Sequence, residues 1–328
     1  MTGAVDWVTN GTMMKKRLLA LGLLLLSAGF ICGQAQAAEH LSDHEEFCRT
    51  APDAACLTFL QQQLGSVTPH SRPWYKLMSY QLDYLYDKQE FSELLQQTEQ
   101  LLQQPALPPV FRTQLYFYHA KMLKSVGRMT QARHYADLAY QQLSSMYQAF
   151  ADPLRVLELA NLQAVFGEHD KAWVLLLSAE HRFNKSKDPV FGFELNSNKA
   201  LVQHAKGQLE EAAYSRKLAL DAILPSGQNG KIIVAYGNLA RTYQLLGQFG
   251  LAADYYEKSL PYMRPVTDEV QQATHLLRLA QLSGQLQDAN TAQAYLQRVD
   301  VKVLGKPHLE LYQQLQQQFR PAQQQKSR

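Results

Sequence analysis

The feature that most constrains this 328-residue chain is an alanine that recurs at intervals of forty residues, five times over, in two parallel columns. A glycine stands seven residues after the first column in four of the five copies, and Gln287 replaces it in the last. The spacing predicts a helix, a tight turn and a second helix in each copy, because glycine accepts the left-handed conformation that ends a helix and alanine lets two helices approach closely. The columns are Ala120, Ala160, Ala200, Ala240, Ala280 and Ala132, Ala172, Ala212, Ala252, Ala292, and the glycines are Gly127, Gly167, Gly207 and Gly247.

The repeat predicts an all-α chain, an α-solenoid of antiparallel helical hairpins. The composition of 46% hydrophobic and 19% charged residues agrees with this class, and no run of alternating β-branched residues is long enough to suggest a sheet. A solenoid grows by stacking hairpins, so a chain of this length needs no single large core. A bulky residue at Ala200 or Ala212 is expected to wedge its hairpin open.

The stretch from Tyr236 to Leu260 resembles a tetratricopeptide repeat. The family's pattern of aromatic, small and glycine positions is met by Tyr236, Leu239, Ala240, Tyr243, Gly247, Ala252, Tyr256 and Ser259. This resemblance implies a right-handed superhelix whose first helices line a concave face. The usual unit of that family is about 34 residues and HEAT or armadillo units run to about 40 to 47, so another α-solenoid stays open. Connections such as 224–230 and 185–189 have the turn composition that would absorb the extra length.

A weaker sixth unit fits residues 74–102, with Leu82, Leu85, Phe91, Leu94 and Leu101 in packing positions. We therefore expect about six hairpins over residues 74–305. Residues 38–73 are expected to form an N-terminal helical cap, and residues 306–328 a C-terminal capping helix with a Gln-rich tail.

The first 37 residues have the parts of a secretory signal peptide: a basic group at Lys15, Lys16 and Arg17, an apolar run to Ile31, and the small-residue pattern that ends at Ala37. The apolar run is too short to cross a bilayer of roughly 30 Å comfortably. We expect cleavage after Ala37, a periplasmic or secreted protein, and no stable membrane span afterwards. A lipoprotein anchored through Cys32 is the weaker alternative. We expect translation to begin at Met13 or Met14, so that residues 1–12 are not translated.

Removal of residues 1–37 takes away three cations and one anion, so the formal charge falls from +3 to +1. A nearly neutral protein lacks the basic stripe that nucleic-acid binding needs.

After removal of residues 1–37, Cys48 and Cys56 remain as the sole cysteine pair. In an oxidising compartment they are expected to form a disulfide, with two free buried thiols as the alternative.

No catalytic signature is found in the sequence, so we expect a protein that is not an enzyme and needs no metal or other cofactor. A Gly-x-Ser-x-Gly motif and a phosphate-binding loop are both missing. His40 and His44 stand four residues apart near acidic residues, and a metal-dependent hydrolase there is the least favoured reading. A solvated first helix turn explains the same residues.

The candidate binding residues lie on the first helix of each hairpin, one position after or three before the first alanine column. They are Phe117, Lys121, Leu157, Asn161, Leu201, Arg241 and Gln281. Family members that grip a peptide carboxylate use Lys, Asn and Arg at such positions, and Lys121, Asn161 and Arg241 match that set in part. A solvated face would look much the same, and this alternative stays open.

The expected function is a periplasmic scaffold or adaptor that binds a partner protein or an extended peptide in its concave groove. The alternative is a periplasmic ligand-sensing module of a signalling system. The partner, the envelope process and self-association cannot be read from the sequence.

Overall fold

The computed structural model describes residues 53–150, 152–264 and 267–319. Within these ranges the regular structure is helical and no strand occurs, which confirms the all-α prediction. The α-helices are α1 Asp53–Ser66, α2 Arg72–Asp87, α3 Phe91–Leu101, α4 Pro109–Ser125, α5 Met129–Phe150, α6 Pro153–Val165, α7 His169–Arg182, α8 Pro189–Ala205, α9 Leu209–Ile223, α10 Asn229–Leu245, α11 Phe249–Ser259, α12 Glu269–Gln285, α13 Ala289–Arg298 and α14 Lys306–Gln318.

Twelve of these helices pair into six consecutive hairpins, from α2 with α3 to α12 with α13. Each hairpin packs against the next. The first helices of neighbouring hairpins are also in contact, for example α6 with α8 and α10 with α12. Helix α1 covers α2 at one end of the array, and α14 covers α12 and α13 at the other. The fold is therefore a solenoid with a helix over each end.

The two alanine columns form the contact within the hairpins. All ten alanines have no exposed surface. Ala160 and Ala172 belong to one buried cluster with Leu176, and Ala240 and Ala252 belong to another with Tyr256. Small side chains at these depths bring the helices close enough for larger neighbours to fill the remaining space.

The turn between the two helices of a hairpin keeps one backbone conformation throughout the array. Its glycines have positive φ values, 77° at Gly207 and 92° at Gly167 for example. Gln287 holds the same left-handed conformation with φ 64°, and Gln89 does so in the first hairpin with φ 62°. The turn geometry thus survives where the glycine is lost.

Both longer helices, such as the 22-residue α5, and extended connections between hairpins contribute to a repeat longer than the usual unit. The Asp188 side chain caps α8 by accepting a hydrogen bond from the Val190 N–H at 2.9 Å, with Pro189 at the first helical position. After α9 the chain makes a 3-10 turn, Leu224–Ser226, and reverses at Gly227 with φ 68°. Extended linkers of this kind add residues without altering the hairpin.

The Phe91 side chain departs from its predicted packing position, because 38% of its surface is exposed. The other packing leucines of that first hairpin are buried. Several predictions fall outside the described residues: the leader over 1–37, the histidines His40 and His44, and Cys48. Cys56 is buried in α1, and its disulfide with Cys48 stays a prediction.

The array curves far enough for its two ends to meet. Lys88, in the turn of the first hairpin, contacts Asp268, which precedes α12 in the sixth. The Gln271 side-chain amide also donates to the Lys88 carbonyl at 3.4 Å. We call this contact between the first and the sixth hairpin the closing contact. The side of the array that it encloses is the inner, concave face.

Candidate binding surface on the concave face

Polar side chains of the first helices link neighbouring hairpins to one another. The Lys121 ammonium donates to the Asn161 side-chain oxygen at 3.2 Å. The Asn161 amide in turn donates to Asn198 Oδ1 at 2.6 Å. Three successive first helices, α4, α6 and α8, are therefore joined by one chain of side-chain hydrogen bonds.

Aromatic rings surround the lysine of this chain. The Lys121 ammonium lies 4.2 Å from the centre of the Tyr86 ring and 4.6 Å from that of Phe117. A cation over an aromatic face is attracted by the ring's negative face. Tyr86 belongs to α2, so this contact also joins the first hairpin to the second.

A cavity of about 330 Å³ opens between the end of α2 and helices α8 and α10. Its apolar lining residues include Tyr86, Phe91, Leu201 and Val234, and its polar lining residues include Asn161, Asn198, Ser197 and Asn238. Ligand sites typically combine an apolar lining with a few polar groups that fix orientation. The cavity has this composition and the size of a few amino-acid side chains.

Charged residues also line the same cavity. The Lys231 ammonium lies 3.4 Å from a carboxylate oxygen of Glu194, and Asp87 is a further lining residue. The negative charge of Asp87, with that of Glu194, raises the pKa of Lys231 above its usual range. Lys231 therefore stays protonated and offers a fixed positive charge within the cavity.

A second, smaller cavity of about 200 Å³ lies beside α2, α4 and α6. The Tyr118 hydroxyl donates to Asp83 Oδ1 at 2.5 Å, and the Gln114 amide donates to the same oxygen at 2.8 Å. Burial raises the pKa of Asp83 to about 6, although both hydrogen bonds act in the opposite direction. Arg155 and Glu158 line the other side and form an ion pair at 2.6 Å.

The last two hairpins repeat the polar linkage with different side chains. The Arg241 guanidinium donates to the Gln244 side-chain oxygen at 2.7 Å, and the Gln244 amide donates to Gln281 Oε1 at 3.0 Å. The Arg278 guanidinium donates to the same Gln281 oxygen at 2.9 Å. Helices α10 and α12 are thus tied along the inner face.

The predicted groove residues separate into groups. Lys121 and Asn161 are in contact, Asn161 and Leu201 line the larger cavity, and Arg241 and Gln281 are bridged by Gln244. The partial clamp of Lys121, Asn161 and Arg241 is not assembled as one site, because Arg241 bonds to Gln244. Leu157 is only 2% exposed within the core, so it offers no contact to a ligand.

Sequence reasoning missed the residues of α2 and of the closing contact. Tyr86 and Asp87 are far in sequence from α8 and α10, and they reach the cavity only because the array curves. The side-chain hydrogen bonds between neighbouring hairpins do follow a pattern in the sequence. Asn161 and Asn198 are 37 residues apart, and so are Gln244 and Gln281. A constant offset of this kind could have identified which side chains of neighbouring repeats touch.

Two searches of the described residues bear on function. Among the residues with described positions, no group of three or more His, Cys, Asp or Glu side chains is placed to hold a metal ion. In the same part of the chain, none of the helices combines the length and the apolar character needed to cross a bilayer.

Comparison with known proteins places residues 193–264 within a family model, that of the tetratricopeptide repeat. No match was found among curated proteins. Among solved structures, the apo form of RapI is 12% identical with a TM-score of 0.51, over 88% of this chain and 83% of that one. NprR in complex with its cognate peptide NprX is 14% identical with a TM-score of 0.50, over 86% and 83%. A tetratricopeptide repeat protein from Parabacteroides merdae is 12% identical with a TM-score of 0.45, over 85% and 99%.

Proposed function

Because this chain is a protein of the tetratricopeptide-repeat family, whose fold serves as a scaffold for protein–protein interaction, we propose that its concave face binds an extended segment of a partner protein in the cell envelope. We propose further that the protein acts in the periplasm after loss of its leader and performs no chemistry itself. The cavity between α2, α8 and α10 is the observation that carries the proposal.

The composition of the cavity walls supports a peptide as the occupant. The apolar lining residues can hold alternate side chains of an extended segment, and the side-chain amide of Asn238 can pair with its backbone. The fixed charges of Lys231 and Glu194 can orient it. NprR, of similar fold, was solved with a peptide bound, which makes a peptide ligand reasonable for this fold.

Site-specific crosslinking tests the proposal in the native cell. A photoreactive amino acid is placed at Leu201 or at Val234 inside the cavity, and at Tyr214 as a control, since 66% of the Tyr214 surface is exposed. The expected result is one partner crosslinked from both cavity positions and absent from position 214. A Leu201→Glu substitution should abolish the crosslink from position 234, because a carboxylate replaces the apolar contact.

Equal crosslinking from position 214, or none from either cavity position, would contradict the proposal. Circular dichroism of the Leu201→Glu protein controls for loss of fold. The location is tested separately by N-terminal sequencing of the mature chain and by an alkaline phosphatase fusion after residue 37. An intact N-terminus and a cytoplasmic fusion would contradict export.

A further inference from the structure

The repeat places two arginines where neighbouring hairpins elsewhere place a hydrogen-bonded amide pair. Asn161 and Asn198 meet at 2.6 Å between α6 and α8. Eighty residues further on, two periods of the repeat, the equivalent positions of α10 and α12 are Arg241 and Arg278. The side chains of Gln244 and Gln281 link Arg241 to Arg278, so two like charges lie close together at the equivalent of the point where the third and fourth hairpins are bonded through neutral groups.

Neutral groups are the only partners of these arginines among the described residues. Arg241 donates to Gln244 at 2.7 Å and Arg278 to Gln281 at 2.9 Å. Arg216, from α9, donates to the Asn238 carbonyl at 3.0 Å and to the Thr242 hydroxyl. No carboxylate of the described residues lies within 4.0 Å of the three guanidinium groups.

Two other half-buried cations of the array have acidic partners. Lys199 pairs with Glu180 at 2.6 Å, and Arg155 pairs with Glu158 at the same distance. Burying a charge without an opposite charge is costly, so cations in such positions are normally paired. Lys121 also has neutral partners only, but the three arginines lie in one region of the array, which points to a partner outside the described residues.

The arginines surround one buried region. Burial raises the pKa of the Tyr256 hydroxyl, while the charges of Arg278, Arg241 and Arg216 act to lower it. Burial and the charge of Arg241 lower the pKa of Arg278. Hydrogen bonds also place the cations near one another, since Arg278 and Gln244 share the Gln281 oxygen and Arg216 donates to Thr242, the neighbour of Arg241. His204 Nδ1 is buried nearby and has no hydrogen-bond partner in the described part of the chain.

We propose that Arg241 and Arg278, with Arg216 beside them, form a binding site for an oxyanion that carries two or more negative charges. Guanidinium groups bind carboxylate and phosphate oxygens through paired hydrogen bonds, and a doubly charged anion between them would relieve their repulsion. The anion is either a pair of carboxylates on an acidic polypeptide segment or free phosphate. Arg216 also lines the cavity, so the site adjoins the proposed peptide groove. In the first case it extends that groove and rests on the proposed function, and in the second it binds its ion independently of a peptide.

Calorimetric titration of the mature protein tests the site with two probes, inorganic phosphate and the blocked dipeptide acetyl-Glu-Glu-amide. Acetyl-Gln-Gln-amide is the neutral control ligand. The variants are Arg241→Gln, Arg278→Gln and the double variant, and Arg133→Gln on the exposed side of α5 is the matched control for loss of one positive charge. Thermal unfolding without ligand is recorded for every protein.

We expect at least one charged probe to bind and the neutral dipeptide not to bind. Each single variant should weaken binding at least fivefold and the double variant at least twentyfold, with Arg133→Gln unchanged. Since two like charges no longer lie close together, the double variant should unfold at the same temperature as the wild type or higher.

Binding of the dipeptide alone assigns the site to an acidic polypeptide, and binding of phosphate alone assigns it to the free anion. The proposal is overturned if neither probe binds the wild type, or if the single variants bind as tightly as it does. Failure here leaves the crosslinking result at Leu201 untouched, because that position lies in the cavity and away from the Arg241–Arg278 pair.

Discussion

The Lys88 ammonium lies 2.5 Å from a carboxylate oxygen of Asp268, although the two residues are 180 positions apart. Both side chains are almost wholly buried, with 6% and 2% of their surface exposed. Asp268 also accepts a hydrogen bond from the Arg264 N–H at 2.9 Å. An ion pair so deeply buried is costly to break from one side, because the charge that remains has lost its water and its partner.

Breaking the closing contact should therefore destabilise the protein. We expect Lys88→Met and Asp268→Asn each to lower the free energy of unfolding by about 3 kcal/mol, and the double variant to cost much less than the sum. Urea unfolding measures these values. The exposed pair of Arg128 and Glu99 is the control, and Arg128→Met should cost under about 1 kcal/mol. Additive costs at 88 and 268 would show that the two residues do not interact in solution.

Enlarging a residue of the first alanine column should wedge a hairpin open. Ala200 has no exposed surface in α8, so Ala200→Leu is expected to cost about 1 to 3 kcal/mol of stability through overpacking. Ala205→Leu, at the exposed end of the same helix, should change stability by under about 0.5 kcal/mol. Thermal or urea unfolding compares the two. Similar costs at both positions would mean that the column does not set the distance between the helices.

The left-handed turn of the last hairpin should accept glycine with a gain in stability. Gln287 has φ 64°, a conformation that costs a residue with a Cβ atom roughly 1 kcal/mol, so Gln287→Gly should stabilise by about 0.5 to 1 kcal/mol. The reverse change, Gly207→Ala, should destabilise by a similar amount. A Cβ atom at Gly207 would meet nothing within 4 Å, so the backbone alone sets this cost.

Gly65 provides the control for that experiment. It lies within α1, and a Cβ atom there would also be in open space. Gly65→Ala should stabilise the protein, because alanine restricts the unfolded chain and suits a helix. Urea unfolding measures all three variants. If Gly65→Ala and Gly207→Ala change stability in the same direction, the conformational explanation fails.

The buried His275 should make the protein less stable in acid. Its Nδ1 lies 2.7 Å from the Ser259 hydroxyl, and burial lowers the pKa of its imidazole to about 3. The ring stays neutral in the folded state. As the pH falls below 6.5, the ordinary pKa of a histidine side chain, the unfolded chain therefore binds a proton that the folded chain does not. Stability is therefore full above pH 6.5 and falls as the pH decreases from 6.5 towards 3, by up to roughly 1.4 kcal/mol per unit.

A variant isolates this contribution. Between pH 6.5 and 5.5, the unfolding free energy of His275→Gln should fall less steeply than that of the wild type, by about 1 kcal/mol. The exposed His134 provides the control, and His134→Gln should keep the slope of the wild type. Parallel curves for wild type and His275→Gln would indicate that the ring protonates while the protein is folded.

Local sequence signals predicted the hairpin and its family, because each rests on residues near one another in the chain. Ala160 and Ala172 are twelve residues apart, and the glycine between them specifies the turn. The cavity could not be predicted in the same way, since Tyr86 reaches α8 only through curvature that accumulates over three hairpins. Leu157 was predicted to line the groove but is buried in the core. Its spacing in the sequence does not show how much of its side chain the next hairpin covers.

The closing contact also bears on the order in which the protein assembles. The first hairpin emerges from the ribosome long before residue 268, so Lys88 must wait in water while four further hairpins are added. Early intermediates are then open arrays whose inner surface is accessible along its whole length. The partner segment that we propose would enter most easily between α2 and α8 during that interval, so we expect the completed protein and the nascent one to differ in how quickly they capture it.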